Sequence, residues 1–437
     1  MSQETVETVL NRIALRSRGD PYFQFTSVFH LMNVEMLRGC FAGLREDAAA
    51  GIDHVTKWEY GKHLEENLIN LVRRLHQMSY RPQPVKRVYI PKAGSDKLRP
   101  LGIPVLEDKL VQAGMVRILE AIYEQEFMDD SYGFRPRRGC HDALRALNLE
   151  VHRGGVNYVV EADIRGFFDH VDHDILMYVL GDRLGDKRML RYIKRFLIAG
   201  IMEEGRWYMS EKGTPQGGVV SPILANIYLH YGLDRWFDRV FRHQCNGRAR
   251  LIRYADDFVV TFQQEGDARL FRQALEKRLS QFGLSLAEEK TKVLEFGPYA
   301  VQWAKARGER AETFDFLGFT HYCGRSRDGK GFRMKRKTIM KRFTAKLHLF
   351  KEWLKVNRHR PVRELMPIVA KKLRGHYAYY GVTDNSKSID RFAYEVRKLL
   401  FKWLDRRGKR GSMNWDKFKH ILSLFPLPIP RIRVNLF

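Results

Sequence analysis

Cysteine is scarce in this 437-residue chain: Cys40, Cys140, Cys245 and Cys323 are its only four, and they stand far apart. That dispersion excludes a C-x-x-C zinc site and a dense disulfide framework, and it suits a reducing compartment. No uninterrupted apolar stretch approaches the roughly 18 residues that a membrane span needs. The N-terminus, with Glu4 and Glu7, lacks a basic-then-apolar signal pattern. A soluble, cytoplasmic protein with no membrane partner is expected. Fixed-period repeats and low-complexity segments are missing too. Acidic residues run short at one end only: residues 324–437 hold 8 Asp and Glu against 31 Lys and Arg, so that quarter carries +23 of a total of +26. With 44% hydrophobic and 12% aromatic residues, the chain can still bury a core, which rules out a disordered polycation. The asymmetry reads as a polyanion-holding module appended to a near-neutral body.

Apolar periodicity predicts helices over 32–44, 63–78, 106–127 and 140–152, with strands over 85–90 and 98–103 forming one basic hairpin. Residues 157–163 alternate as a half-buried strand, with Tyr158, Val160 and Ala162 on one face and Glu161 and Asp163 on the other. Helices over 173–180 and 187–198, a turn-rich stretch over 213–218 and a helix over 221–241 follow. Strands over 250–254 and 258–262 then flank Ala255-Asp256-Asp257, before a helix over 267–282 and short strands over 291–296 and 315–319. Beyond Gly324 only helices are expected. Ile339, Phe343, Leu347, Phe350 and Leu354 form one apolar stripe and Ile389, Phe392, Val396, Leu399 and Trp403 another. Residues 324–331 are the best linker candidate, and Pro426-Leu-Pro-Ile-Pro430 an extended strap.

Nucleotidyl transfer builds charge on phosphate oxygens, and paired divalent cations held by aspartates stabilise both the attacking and the leaving oxygen. Asp163 ends one predicted strand and Asp256-Asp257 cap a hairpin 93 residues later. Strand alternation makes Asp163 and Asp256 the principal ligands, with Asp257 secondary unless the turn rotates it inward. Mg2+ is the natural cation for such hard oxygens. Tyr254-Ala-Asp-Asp257 alone would be an ordinary solvated turn. Its companions are Asp163-Ile-Arg-Gly-Phe-Phe-Asp169, Gly213-Thr-Pro-Gln-Gly-Gly-Val-Val-Ser-Pro222 and Phe316-Leu-Gly-Phe319.

These four ordered motifs resemble those of reverse transcriptases, specifically the bacterial group II intron-encoded reverse transcriptase/maturase family, from about Gly51-Ile-Asp53 onward. The resemblance implies an α+β right-hand polymerase: N-terminal extension and fingers over 1–155, palm over 156–323, and a basic helical thumb, or domain X, over 324–437. It implies Asp163, Asp256 and Asp257 as catalytic carboxylates and two Mg2+ ions at Asp163, Ile164, Asp256 and Asp257. The nucleotide pocket would include Gln216, with Lys92 and Arg99 gripping the triphosphate. Phe168, five residues after Asp163, would be the ring that rejects a ribose 2′-hydroxyl. Lys290, in Glu288-Glu-Lys-Thr291, is a candidate proton donor to pyrophosphate. Leu317 and Gly318 match the primer grip, and Arg135, in Ser131-Tyr-Gly-Phe-Arg-Pro136, a position beside the template; that arginine could equally be structural. Lys337, Lys341, Arg342, Lys346 and Lys351 lie off the first thumb stripe, ready to track phosphates. Arg374-Gly-His-Tyr-Ala-Tyr-Tyr-Gly381 matches a thumb helix motif whose tyrosines are expected to pack.

The implied partners are an RNA template, a DNA primer, deoxynucleoside triphosphates and a group II intron RNA. With no cysteine-rich or His-Asn-His module, second-strand DNA cleavage is not expected. Use in repair, CRISPR-linked acquisition or phage defence, or a mainly structural maturase, stays open at this point.

Overall fold

The computed structural model describes residues 4–91, 98–209, 211–215, 217–326, 328–329, 331–407 and 413–437. Lys92 and Gln216 therefore lie outside the described residues. The strands, in chain order, are β1 (Val85–Pro91), β2 (Leu98–Ile103), β3 (Tyr158–Asp163), β4 (Ile201–Glu203), β5 (Arg206–Tyr208), β6 (Ala249–Tyr254), β7 (Asp257–Phe262), β8 (Lys292–Glu295), β9 (Thr313–Phe316), β10 (Phe319–Arg325) and β11 (Phe332–Thr338). They form three sheets, ordered β2-β1-β4-β5, β6-β7-β3-β8 and β11-β10-β9.

The N-terminal block is helical because apolar positions recur every three or four residues between capped ends. Asn33 accepts from the Met36 amide at the head of Val34–Gly43, and Thr56 and Glu59 close a capping box on Lys57–Gly61. Helix Leu106–Tyr123 is the axle of this block, and its Leu110, Val111, Met115, Ile118 and Leu119 are fully buried. The basic hairpin β1–β2 stands beside it and gains β4 as a parallel neighbour, through Val85 opposite Ile201. Strands β4 and β5 had no counterpart in the sequence reading. At three residues each they are too short to show alternation.

The central sheet is packed on both faces. Val160, Ala162, Phe258, Val260 and Phe262 belong to a core shared with the N-terminal block, whereas Val159, Ile252 and Val259 belong to a second core shared with the C-terminal helices. Residues 157–163 are thus a central strand rather than a half-solvated one. Behind the first face, Phe271 of helix Glu265–Gln281 meets the rings of Trp236, Phe237, Phe241 and Phe262 at centroid distances of 5.1–6.0 Å. Phe271→Ala is expected to lower stability by about 3–5 kcal/mol, measured as a fall in the midpoint of chemical denaturation.

The expectation of helices alone beyond Gly324 is corrected. Gly324 sits inside β10, which pairs antiparallel with β11 from Phe319 opposite Thr338 to Arg325 opposite Phe332. Met334, Arg336 and Thr338 point inward with a period of two; the interleaved Arg333, Lys335 and Lys337 gave the segment a solvated look. The helices Met340–Asn357, Val362–Tyr380, Ser386–Asp405 and Trp415–Leu424 follow. Val434 then bridges Val382, so the segment after Pro430 straps across them.

Candidate active site

The β3–β7 register sets Asp163 directly opposite Asp257. Strands β6 and β7 are joined by the two residues Ala255 and Asp256, with Tyr254 opposite Asp257 and Ala255 in the left-handed region at φ +58°. Three carboxylates from points 93 residues apart in the chain thereby share one end of the sheet. Burial raises the Asp256 carboxyl above the usual carboxylate range, and Asp163 raises it further. Asp257 is pushed up to about 7, first by burial and then by Asp256 and Asp163, against the pull of the Leu317 amide and Arg342. Asp257 is half-buried, opposite Asp163 in the register.

Lys290, on the short turn Glu288–Lys290, donates to Asp163 Oδ2. Ile164 buries its side chain, so only its backbone carbonyl could serve a cation. Among the described residues no three His, Cys, Asp or Glu side chains are spaced as a formed metal site. The donor set nonetheless suits a hard divalent cation. It consists of carboxylate oxygens gathered at one end of the sheet, with the Lys290 ammonium group paired to Asp163.

Phe167 and Phe168 separate clearly. Gly166 at φ +53° turns the chain into the short helix Phe167–His170, where Phe167 is 2% exposed and Phe168 half-buried at the core's edge. The glycine-rich loop leans on this turn: the Thr214 amide donates to the Phe168 carbonyl at 2.8 Å. On its other side the backbone of Gly217 presses on β2, and a Cβ there would lie 2.4 Å from the Gly102 carbonyl oxygen. Arg99, exposed on β2, is close enough to favour the charged form of Asp256.

Leu317 and Gly318, at φ +49° and +85°, form the two-residue turn between β9 and β10. The Leu317 carbonyl accepts from the Tyr379 hydroxyl at 2.9 Å, and its amide favours the charged form of Asp257. Gly318 has Arg342 against it; a Cβ there would be 3.2 Å from the guanidinium. Arg342 is thus the basic residue that the C-terminal helices bring to the carboxylates, a role the sequence reading did not single out. Lys341 and Lys346 are exposed on the same helix and Lys351 is half-buried, while Lys337 is exposed on β11 rather than on a helix. The Lys346 Nζ lies 5.5 Å from the Tyr380 ring. Tyr377 and Tyr380 are buried, consistent with packing.

Arg135 is a correction. It is 6% exposed, forks onto Glu124 at 2.8–3.1 Å and donates to the carbonyls of Met128 and Ser131 at 2.7 Å. Its guanidinium is held inside the protein and cannot meet a template.

A carboxylate cluster at the end of an antiparallel sheet, with a glycine-rich loop packed beside it and a basic helical block behind a tight turn, fits a right-hand polymerase. Residues 90–321 match the reverse transcriptase (RNA-dependent DNA polymerase) family. The group II intron-encoded protein LtrA of Lactococcus lactis subsp. cremoris is 30% identical over 92% of this chain and 78% of its own length. Protein YkfC of Escherichia coli (strain K12) is 37% identical over 48% of this chain and 62% of its own. An uncharacterized 91 kDa protein in the cob intron of Schizosaccharomyces pombe is 41% identical over 39% and 21%. The chain belongs to the group II intron-encoded reverse transcriptase/maturase family, and its activity is RNA-directed DNA polymerisation. Enzymes of this class use divalent cations and act on nucleic acid. No helix among the described residues is long and apolar enough to cross a membrane.

Proposed function

We propose that this chain extends a DNA primer along an RNA template with Asp163, Asp256 and Asp257 as its catalytic carboxylates, and that it binds a group II intron RNA to assist splicing and retrohoming. The observation that carries the assignment is the Asp163–Asp257 register, with Asp256 electrostatically coupled to both. These three side chains, with the Ile164 carbonyl, would hold two Mg2+ ions, which when bound neutralise charge on the attacking and leaving oxygens.

The protein's own residues do the rest. Arg99, with Lys92, clamps the triphosphate; the fork suits phosphate oxygens and the lysine supplies a point charge. Gln216 and Phe168 shape the space for base and sugar. The turn at Leu317 and Gly318, backed by Tyr379 and flanked by Arg342, sets the primer end against Asp257. Lys290 leaves Asp163 when the substrate enters and gives its proton to the departing pyrophosphate. A boundary near residue 155 separates fingers from palm, and the thumb begins with the helix at Met340. The four free, dispersed cysteines fit a bacterial cytoplasm.

The direct test is extension of a DNA primer annealed to RNA, with deoxynucleotides and Mg2+. Elongated DNA is expected, and elongation with ribonucleotides alone would contradict the reading. Sequencing RNA that co-purifies from the native host is expected to return intron sequence; bound RNA of another kind would point to a use in repair or defence.

The exposed thumb cations should act through phosphate contacts, releasing counterions as they bind. Replacing Lys337 and Lys341 by Gln is expected to reduce the log K against log salt slope by about 1.4–1.8 units, at 0.7–0.9 per contact, in filter binding of RNA at several salt concentrations. An unchanged slope would mean that both merely face solvent.

A further inference from the structure

Arg253 is fully buried, immediately before the Tyr254-Ala-Asp-Asp257 turn. All five of its N–H donors are used. Nε and Nη2 fork onto Asp234 at 2.7 and 2.5 Å, Nη2 also donates to Ser131 Oγ at 2.7 Å, and Nη1 donates to Asn226 Oδ1 at 3.1 Å and to the Ala255 carbonyl at 2.9 Å. The last bond reaches the residue held at φ +58°, a conformation that a residue with a Cβ keeps only when its surroundings over-determine it.

Those surroundings close on Ala255 from two sides. Opposite the guanidinium, Gly133 packs so tightly that a Cβ there would lie 2.2 Å from the Ala255 nitrogen. Asn226 joins the two jaws, since its Nδ2 holds the Gly133 carbonyl at 2.7 Å while its Oδ1 receives Arg253. Asp234, 1% exposed, ends a π-helical segment, His230–Asp234, whose wider winding departs from the regular register of the preceding helix.

Beyond the fork to Asp234, the remaining donors reach three separate segments, at Ser131, Asn226 and Ala255, and one of them holds the carbonyl one residue before Asp256. We propose that Arg253 is the positioning residue of the catalytic turn, fixing Ala255 so that the Asp256 carboxylate meets the reacting phosphate. This rests on Asp256 being catalytic, as proposed above.

Arg253→Lys keeps a positive charge beside Asp234, but an ammonium cannot span Asp234, Ser131 and Ala255 together. Single-turnover incorporation of one deoxynucleotide gives an amplitude, the active fraction, and a rate constant, the positioning. The rate constant at saturating nucleotide is expected to fall about 10²-fold, the effect of an ångström-scale misplacement. The half-saturating nucleotide concentration should move less than about threefold, because ground-state binding is untouched. Ser131→Ala keeps the ion pair, and so the fold, and is expected to slow the step roughly fivefold, as for one lost hydrogen bond; it decides the matter if Arg253→Lys does not fold. A wild-type rate constant with reduced amplitude would overturn the proposal and leave Arg253 a folding residue. Asp256→Asn, run in parallel, separates the two readings. If it keeps the wild-type rate, the catalytic assignment fails and the proposal with it. If it is inactive while both other variants keep the wild-type rate constant, positioning alone fails.

Discussion

Asp163→Asn and Asp256→Asn should each reduce single-turnover nucleotide incorporation on the order of 10³-fold or more, since preorganised charge at the transferred phosphoryl group is the largest catalytic contribution available to such a site. The fold should survive. Asp256 raises its neighbour Asp257, and Asp163 raises both, so neutralising one carboxylate relieves like-charge repulsion and should leave the thermal midpoint of the cation-free protein unchanged or slightly higher. A divalent cation at 100 times its dissociation constant should stabilise the wild type by about 2.7 kcal/mol, and this gain should vanish in both variants. Near-wild-type synthesis by either variant would remove that aspartate from the site.

Phe168→Val should open the pocket to ribonucleotides. Phe167 is buried core, whereas the Phe168 ring is half-buried where the glycine-rich loop meets the end of β3. A bulky ring there would occupy the space of a 2′-hydroxyl and leave that hydroxyl unpartnered. Discrimination is a ratio of two efficiencies, and loss of one such contact is worth about 10–200-fold. The preference for dCTP over rCTP opposite template guanine should fall by that order, with dCTP incorporation changing less. An unchanged ratio would make Phe168 a packing residue. The effect on stability should be modest, because the ring touches the core only at its edge.

The carboxylate cluster was legible in the sequence because its pattern is local: Asp163 closes an alternating strand, and Asp256-Asp257 lie at a hairpin turn. The raised Asp257 carboxyl was not, because it arises from burial and from Asp256 and Asp163, the latter set opposite it only by the β3–β7 register. Arg135 and Arg253 show the same limit from the other side. Each is an arginine among motif residues, and only folding reveals that Glu124 and Asp234 draw their guanidinium groups inward. Strand β11 was hidden by its charge, since Arg333, Lys335 and Lys337 masked the inward period of Met334, Arg336 and Thr338. Arg342 looked like one of several thumb cations until the β9–β10 turn placed Gly318 against it.

The claim that Asp163, Asp256 and Asp257 hold one cation centre is tested most directly by replacing Mg2+ with Fe2+, generating hydroxyl radicals at the bound ion and mapping the backbone cuts. Cleavage is predicted beside Asp163 and beside Asp256-Asp257, competed away by Mg2+ and lost in Asp163→Asn. Cuts confined to other segments, or cuts at these two that persist in Asp163→Asn, would contradict it.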